Sequence, residues 1–288
     1  MDWLQTIVNG LMLGALYGLF GLGLALVFGV MRVVNLAHGE FIVLAAYGGT
    51  TLAALVPGVS PLWWVLPVAV AAFGVGYALQ ALLVNRAVRS GDPLTPLMLT
   101  FGLAVVLRNL MVEVFGTNPQ ALDGGAFARA GFDVLGLRIA LFPLAVLVLA
   151  AAMFFALQWL LSRTEWGRIV RATSDNFRIV RLMGVEPNRV YNTVMGLALA
   201  FAAVAGMLLA LRTSFTPYSG AERLLVAFEV VILGGLGSFW GAFAGGMALG
   251  VAQLLGQKFD SNAGSLYSHL LFFVVLILWP TGLSRRGR

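Results

Sequence analysis

Long apolar runs broken by short polar ones dominate the chain. Leu4–Val30 carries no charge and would form a helix of ~40 Å at 1.5 Å per residue, longer than the ~30 Å hydrocarbon core of a bilayer. Further apolar spans are predicted at Asn35–Val56, Leu62–Val84, Leu94–Phe115, Ile139–Leu161, Val190–Leu211, Ala242–Leu255 and Leu266–Trp279. Leu224–Leu236 is apolar but only ~20 Å long as a helix, and it runs into the glycine-rich GGLGSFWGAFAGG. The pattern predicts an all-α polytopic membrane protein. It has eight to nine transmembrane helices, with a short or broken helix before the glycine-rich stretch 234–246. A single transmembrane domain, 1–288, accounts for the whole length.

The polar positions are as informative as the apolar ones. Gly10, Gly14 and Gly18 repeat every four residues and form a small-residue face that lets another helix approach closely. Asn35 in NLAHGEF reads as an N-cap, and Glu40 in the first turns suits the positive end of the helix dipole. The only long polar run is Ser162–Asn192, with six arginines against Glu165, Asp175 and Glu186. It reads as helical, with Ser162 and Glu165 as a capping box and Gly184 as the stop. Arg168, Arg171, Asp175 and Arg178 share one face; Ile169, Ala172, Ile179 and Met183 form an apolar stripe beside it. So short a loop cannot bury that stripe by itself. Two readings fit: a docking element, or a positive loop that only fixes topology.

Composition narrows the class. The chain is 60% hydrophobic and 10% charged, whereas soluble domains carry about 25% charged residues. There is no cysteine and there are two distant histidines, which leaves no disulfide or His-rich metal site. The net charge of +6 sits in loops between spans, where the positive-inside rule places it, and gives no reason to invoke nucleic acid. MDWLQT lacks a basic n-region, so the first span is expected to be a permanent helix. If Ser162–Asn192 is cytoplasmic, alternation puts Arg32, Arg86, Arg89, Arg285, Arg286 and Arg288 on that side too. The N-terminus is then outside and the C-terminus on the cytoplasmic side, provided Leu224–Leu236 counts as a crossing.

His38, Glu40, Arg108, Asn109, Glu113, Glu229 and His269 lie in or near spans, where ionisable groups are costly and usually face a bundle interior or a water-filled path. His38 and Glu40 also fit as caps at the cytoplasmic interface. Arg108 and Glu113 are five apart and poorly placed to pair. Glu229 is the strongest candidate for a pathway-facing charge. Gly234 and Gly235 begin a stretch in which backbone can approach backbone, for a pathway or for close helix packing. Ser238 and His269 superficially invite a hydrolase reading, but no third group supports them. The sole lysine is Lys258, and no G-x-x-x-x-G-K-[ST] occurs, so the chain is no P-loop ATPase by itself.

Several stretches together carry a resemblance over essentially the full length. NLAHGEF, the G-R-x-x-R-A core at Gly167–Ala172 with L-x-G-V at Leu182–Val185, VILGGLGSFWGAFAGG and the closing WPTGL occur in the order found in LivH-type permeases of branched-chain amino acid ABC importers. The resemblance implies a bacterial inner-membrane permease, not an enzyme, for branched-chain amino acids or related small organic solutes. It implies a LivM-like second permease, two cytoplasmic ATP-binding subunits and a periplasmic solute-binding protein as partners. It also implies no cofactor on this chain, with ATP used by the partner subunits. Arg168, Arg171, Leu182 and Gly184 match that family's coupling region, within 162–190. Arg178 and Met183 join them on the helical reading. Asn35, His38, Glu40, Glu229, Gly234 and Gly235 are the pathway candidates, and no metal ligands are assigned. A stand-alone secondary transporter or channel is the alternative; it would need an inverted repeat, and none is clear.

Overall fold

The computed structural model describes residues 2–134, 136–279 and Gly282. The tail arginines Arg285, Arg286 and Arg288, most of WPTGL and the side chain of Asp2 lie outside the described residues. Helices form where the apolar runs predict them. They are α1 (Asp2–Met31), α2 (His38–Leu55), a rod from Pro61 to Val88, α5 (Leu94–Phe115), α7 (Leu141–Arg163), α10 (Pro187–Arg212), α11 (Ser219–Gly234), α12 (Phe239–Phe259) and α13 (Gly264–Leu278). The rod consists of a 3₁₀ turn, α3 (Val65–Leu79), a π turn at Gln80–Val84 and α4 (Asn85–Val88). It continues into the segment expected to be a loop around Arg86. Among the described residues, six helices are long and apolar enough to cross a membrane: α1, the rod, α5, α7, α10 and α12. Length and composition therefore do not give the expected eight to nine, because α11 and α13 have only 16 and 15 residues and α2, with 18, carries His38, Glu40 and the polar run Gly48–Thr51.

The fold is also not purely helical. The long loop after α5 contains α6 (Gly125–Arg129) and a hairpin of β1 (Gly131–Val134) and β2 (Leu137–Ala140), antiparallel with Gly131 opposite Ala140. Phe132 and Val134 alternate with Gly131 and Asp133, as Leu137 and Ile139 do around Arg138, but strands of only four residues give too short a pattern to stand out.

α1 is buried on nearly all faces, and α10 packs beside it. Lipid gives little hydrophobic drive between helices, so close van der Waals contact must hold the bundle. Gly10 and Gly14 of α1 meet Gly246, Met247, Gly250 and Val251 of α12 backbone to backbone, which is the packing role the small-residue face predicts. The rod, α5 and α7 stand at the periphery with most of their apolar surface outward.

The bundle has two distinct ends. At one, Gln5 and Arg138 exchange hydrogen bonds of 2.8 and 2.9 Å, Lys258 sits 4.2 Å from the Trp3 ring, and Gln120 pairs with Phe215. At the other, Ser174 donates to the carbonyl of Gly29 (2.9 Å), and Asn85 donates to Asn192 (2.8 Å). Gly237 lies beside Gly29 there. This second end gathers Arg86, Arg89 and the arginines of 163–189. α11 and α12 form a helical hairpin whose turn, with φ of 93° at Gly235 and 85° at Gly237, lies at the arginine-rich end.

The arginine-rich stretch differs from its predicted form. The cap is Thr164, whose Oγ1 accepts from the Gly167 N–H (3.0 Å), while Ser162 belongs to the last turn of α7. The helix is also broken. α8 (Glu165–Asp175) ends at Asn176, whose side chain accepts from the Arg178 and Ile179 N–H groups and starts α9 (Phe177–Leu182). The break resets the helical phase. Val170, Thr173 and Val180 face the bundle, and Ile179 and Met183 of the predicted stripe point outward. Gly184 ends the segment at φ 84°, as read from the sequence.

Candidate functional site

Two regions draw the polar residues together. The first begins where α1 stops. Arg32 takes a left-handed conformation, φ 52°, and the chain turns back in non-helical form to residue 37. Residues 32–35 can carry the chain back by at most roughly 13 Å at 3.3 Å per residue, and a turn closed by the His38 N–H on the Asn35 carbonyl (3.2 Å) leads into α2. α2 therefore starts well inside the bundle. His38 Nε2 donates to the carbonyl of Phe20 (2.9 Å), and Phe20 lies about 16 Å along α1 from its arginine-rich end. Asn35 is not the N-cap residue. That position is Ala37, and the Asn35 side chain accepts from the Ala37 N–H (3.0 Å) two residues earlier. Thr100 of α5 receives the Leu36 N–H (3.2 Å) and steadies the reversal.

Glu40, in the first turn of α2, is buried at 2% exposure. Its Oε1 accepts from Arg108 Nε and Nη2 of α5 at 3.1 and 2.5 Å. Arg108 is one-third exposed on the outer flank. The other carboxylate oxygen of Glu40 is buried without a partner among the described residues and packs against Gly220 at the start of α11, where any side chain would collide with it. His38 Nδ1 is likewise unpartnered. His38 and Glu40 thus sit at depth, and not as caps at an interface.

Glu229 lies apart from this cluster. Its Oε1 meets His269 Nδ1 of α13 at 2.6 Å. On α11, Gly220 and Leu224 face α2, and Ala227 and Val230 face α1. Glu229 points instead towards α13. Gly234 packs directly on Gly241 and Ala242, and Gly235 makes the turn. Sequence reasoning noted Arg108 and His269 as intramembrane groups but could not pair them, because their partners lie 68 and 40 residues away. It missed Thr100 and Gly220 altogether.

The second region is the arginine-rich end. Leu182 and Met183 are 88% and 77% exposed, and Phe177 and Ile179 are exposed beside them. Arg168 is exposed and pairs with Glu165 (3.1 Å); Arg178 stacks on Phe177 (5.8 Å). Arg171 lines a cavity of about 440 Å³ beneath α8 with Gly29, Ser174 and Gly237. The arginine core and the glycine turn, far apart in sequence, therefore meet over the end of α1. Ser238 acts locally, since its Oγ accepts from the Gly241 N–H (3.1 Å) and caps α12. Its predicted companion His269 is bonded to Glu229, and no metal-holding cluster occurs among the described residues.

A helix starting at depth, a buried acid–base pair and an uncovered basic–apolar surface at one end are compatible with a transport subunit. Known proteins point the same way. The family model for the branched-chain amino acid transport system permease component matches residues 6–280. This chain belongs to that family. It is similar to the high-affinity branched-chain amino acid transport system permease protein BraD of Pseudomonas aeruginosa, 29% identical over 99% of this chain and 96% of BraD. LivH of Escherichia coli is 27% identical over the same shares. LivM of Escherichia coli, also a permease protein of that system, is 29% identical over 93% of this chain and 67% of LivM. No solved structure matches. As a family member the chain is a multi-pass transport permease component and not an enzyme.

Proposed function

We propose that this permease moves branched-chain amino acids or related small organic solutes across a bacterial inner membrane, driven by ATP hydrolysed on separate subunits. The observation that carries this reading is the exposed pair Leu182–Met183 among Arg168, Arg171, Arg178 and Arg181. These sit on short helices seated on α1 through Ser174 and Gly29. Apolar side chains so exposed beside a basic face call for a protein partner. With no phosphate-binding loop in the chain, an ATP-binding subunit is the partner that supplies energy. ATP is then used off this chain, which itself holds no cofactor. The coupling residues are Arg168, Arg171, Arg178, Leu182, Met183 and Gly184.

In this reading α2, α11 and α13 complete nine crossings, so the N-terminus is periplasmic and the C-terminus cytoplasmic. The similarity to LivM supports pairing with a second permease of like fold. A periplasmic binding protein delivers the solute, and two cytoplasmic ATP-binding subunits dock at the arginine-rich end. Asn35, His38 and Glu40 border the path, and the shift of α8–α9 reaches them through α1. Gly234 and Gly235 flank it at the arginine-rich end of the α11–α12 hairpin, and Glu229 acts from outside it, through His269 of α13.

Leu182→Ser with Met183→Ser should cut co-purification of the ATP-binding subunit by about tenfold, equivalent to about 1.4 kcal/mol, while the permease itself accumulates normally. Undiminished co-purification and uptake would remove the coupling role.

A further inference from the structure

A cavity of about 840 Å³ opens between α4 and α9 at the arginine-rich end, and Arg89, Arg178 and Arg181 all line it. Among the described residues none of the three forms an ion pair. The one acid at its rim, Glu186, is already taken by Arg189 at 2.5 Å. Asn85, which lines it, is held from behind: Gln80 donates to Asn85 (3.0 Å), and Asn85 to Asn192 (2.8 Å), tying the rod to α10. We infer that this cavity binds the phosphate of an anionic phospholipid headgroup.

Three observations select a lipid over other anions. Arg89 is the first residue beyond a rod long enough to cross a membrane, and Tyr191 lies in the first turns of α10, so the cavity is at headgroup level. Leu82 and Leu83, within two turns of Arg89, are exposed and offer an apolar track for acyl chains. Basic pockets between helices on the cytoplasmic side are suited to such headgroups. A bound headgroup bridges α4 and α9, and so steadies the helix that ends in Leu182 and Met183. The site requires only that this end meets the membrane surface; it stands or falls separately from the ATP-driven reading.

The test is native mass spectrometry of the full-length protein titrated with phosphatidylglycerol or phosphatidylcholine, with inorganic phosphate as competitor. The wild type should retain phosphatidylglycerol several-fold better than phosphatidylcholine. The triple change Arg89→Gln, Arg178→Gln, Arg181→Gln should abolish the preference. A triple of equal charge outside the cavity that leaves the Arg189–Glu186 pair intact, Arg138→Gln, Arg163→Gln, Arg168→Gln, should keep it. If the first triple fails to fold, Arg89→Gln alone should still reduce retention measurably. No preference in the wild type, or equal loss in both triples, overturns the site. Displacement by millimolar phosphate would make it a free-anion site and overturn the lipid.

Discussion

Gly14→Leu should lower the amount of folded protein in the membrane by about tenfold or more, because the new side chain meets the backbone of Gly246 and Met247. Overpacking in a core costs about 1–3 kcal/mol when side chains can yield, and here the obstacle is main chain on a helix that cannot shift alone. Gly250→Leu should behave alike, since its partners are the Gly10 and Gly14 backbones. Gly74→Leu is the internal control. Nothing lies within 4 Å of a side chain added there, and accumulation should stay near wild type. Immunoblots of membrane fractions read all three. Equal accumulation of Gly14→Leu and Gly74→Leu would mean that α1 and α12 do not pack as described.

Arg108→Leu should impair both folding and transport, because it strands the Glu40 carboxylate in the bundle. Removing one partner of a buried pair costs about 3–5 kcal/mol, and the partial exposure of Arg108 argues for the low end. Pairing the change with Glu40→Gln should recover accumulation to near wild type, since no buried charge remains. Uptake tells the two roles apart. Recovery of protein without recovery of transport would mark the pair as part of the solute path; recovery of both would mark it as structural. An Arg108→Leu protein that accumulates and transports normally would show that the pair matters for neither.

Much of this molecule could be read from its residues, for definite reasons. The apolar run Leu94–Phe115 matches its helix to the residue, because Pro93 and Gly116 punctuate it at both ends. Glycines at every fourth position declared a close helix contact, and Gly184 the end of the arginine-rich segment. What failed was local competition between equivalent caps. Ser162 and Thr164 are both good caps, and only the run of α7 through Arg163 decides for Thr164. The continuous helix read through 162–184 overlooked Asn176, whose side chain captures two N–H groups and splits the segment. The depth of α2 was also hidden. Arg32 suggests an interface, and only an extended reversal carries His38 and Glu40 inward to Phe20 and Arg108. Pairings across tens of residues, such as Glu229 with His269, have no periodic signature in a single sequence.

The central claim is that this permease is moved by ATP consumed on other subunits. The measurement that bears on it most directly is leucine uptake into proteoliposomes. These would contain the chain alone, or the chain with the proposed second permease, ATP-binding subunits and solute-binding protein. Uptake should require the full set and ATP on the side of Leu182, and should survive collapse of ion gradients. Uptake by the chain alone under an ion gradient, without ATP, would contradict it.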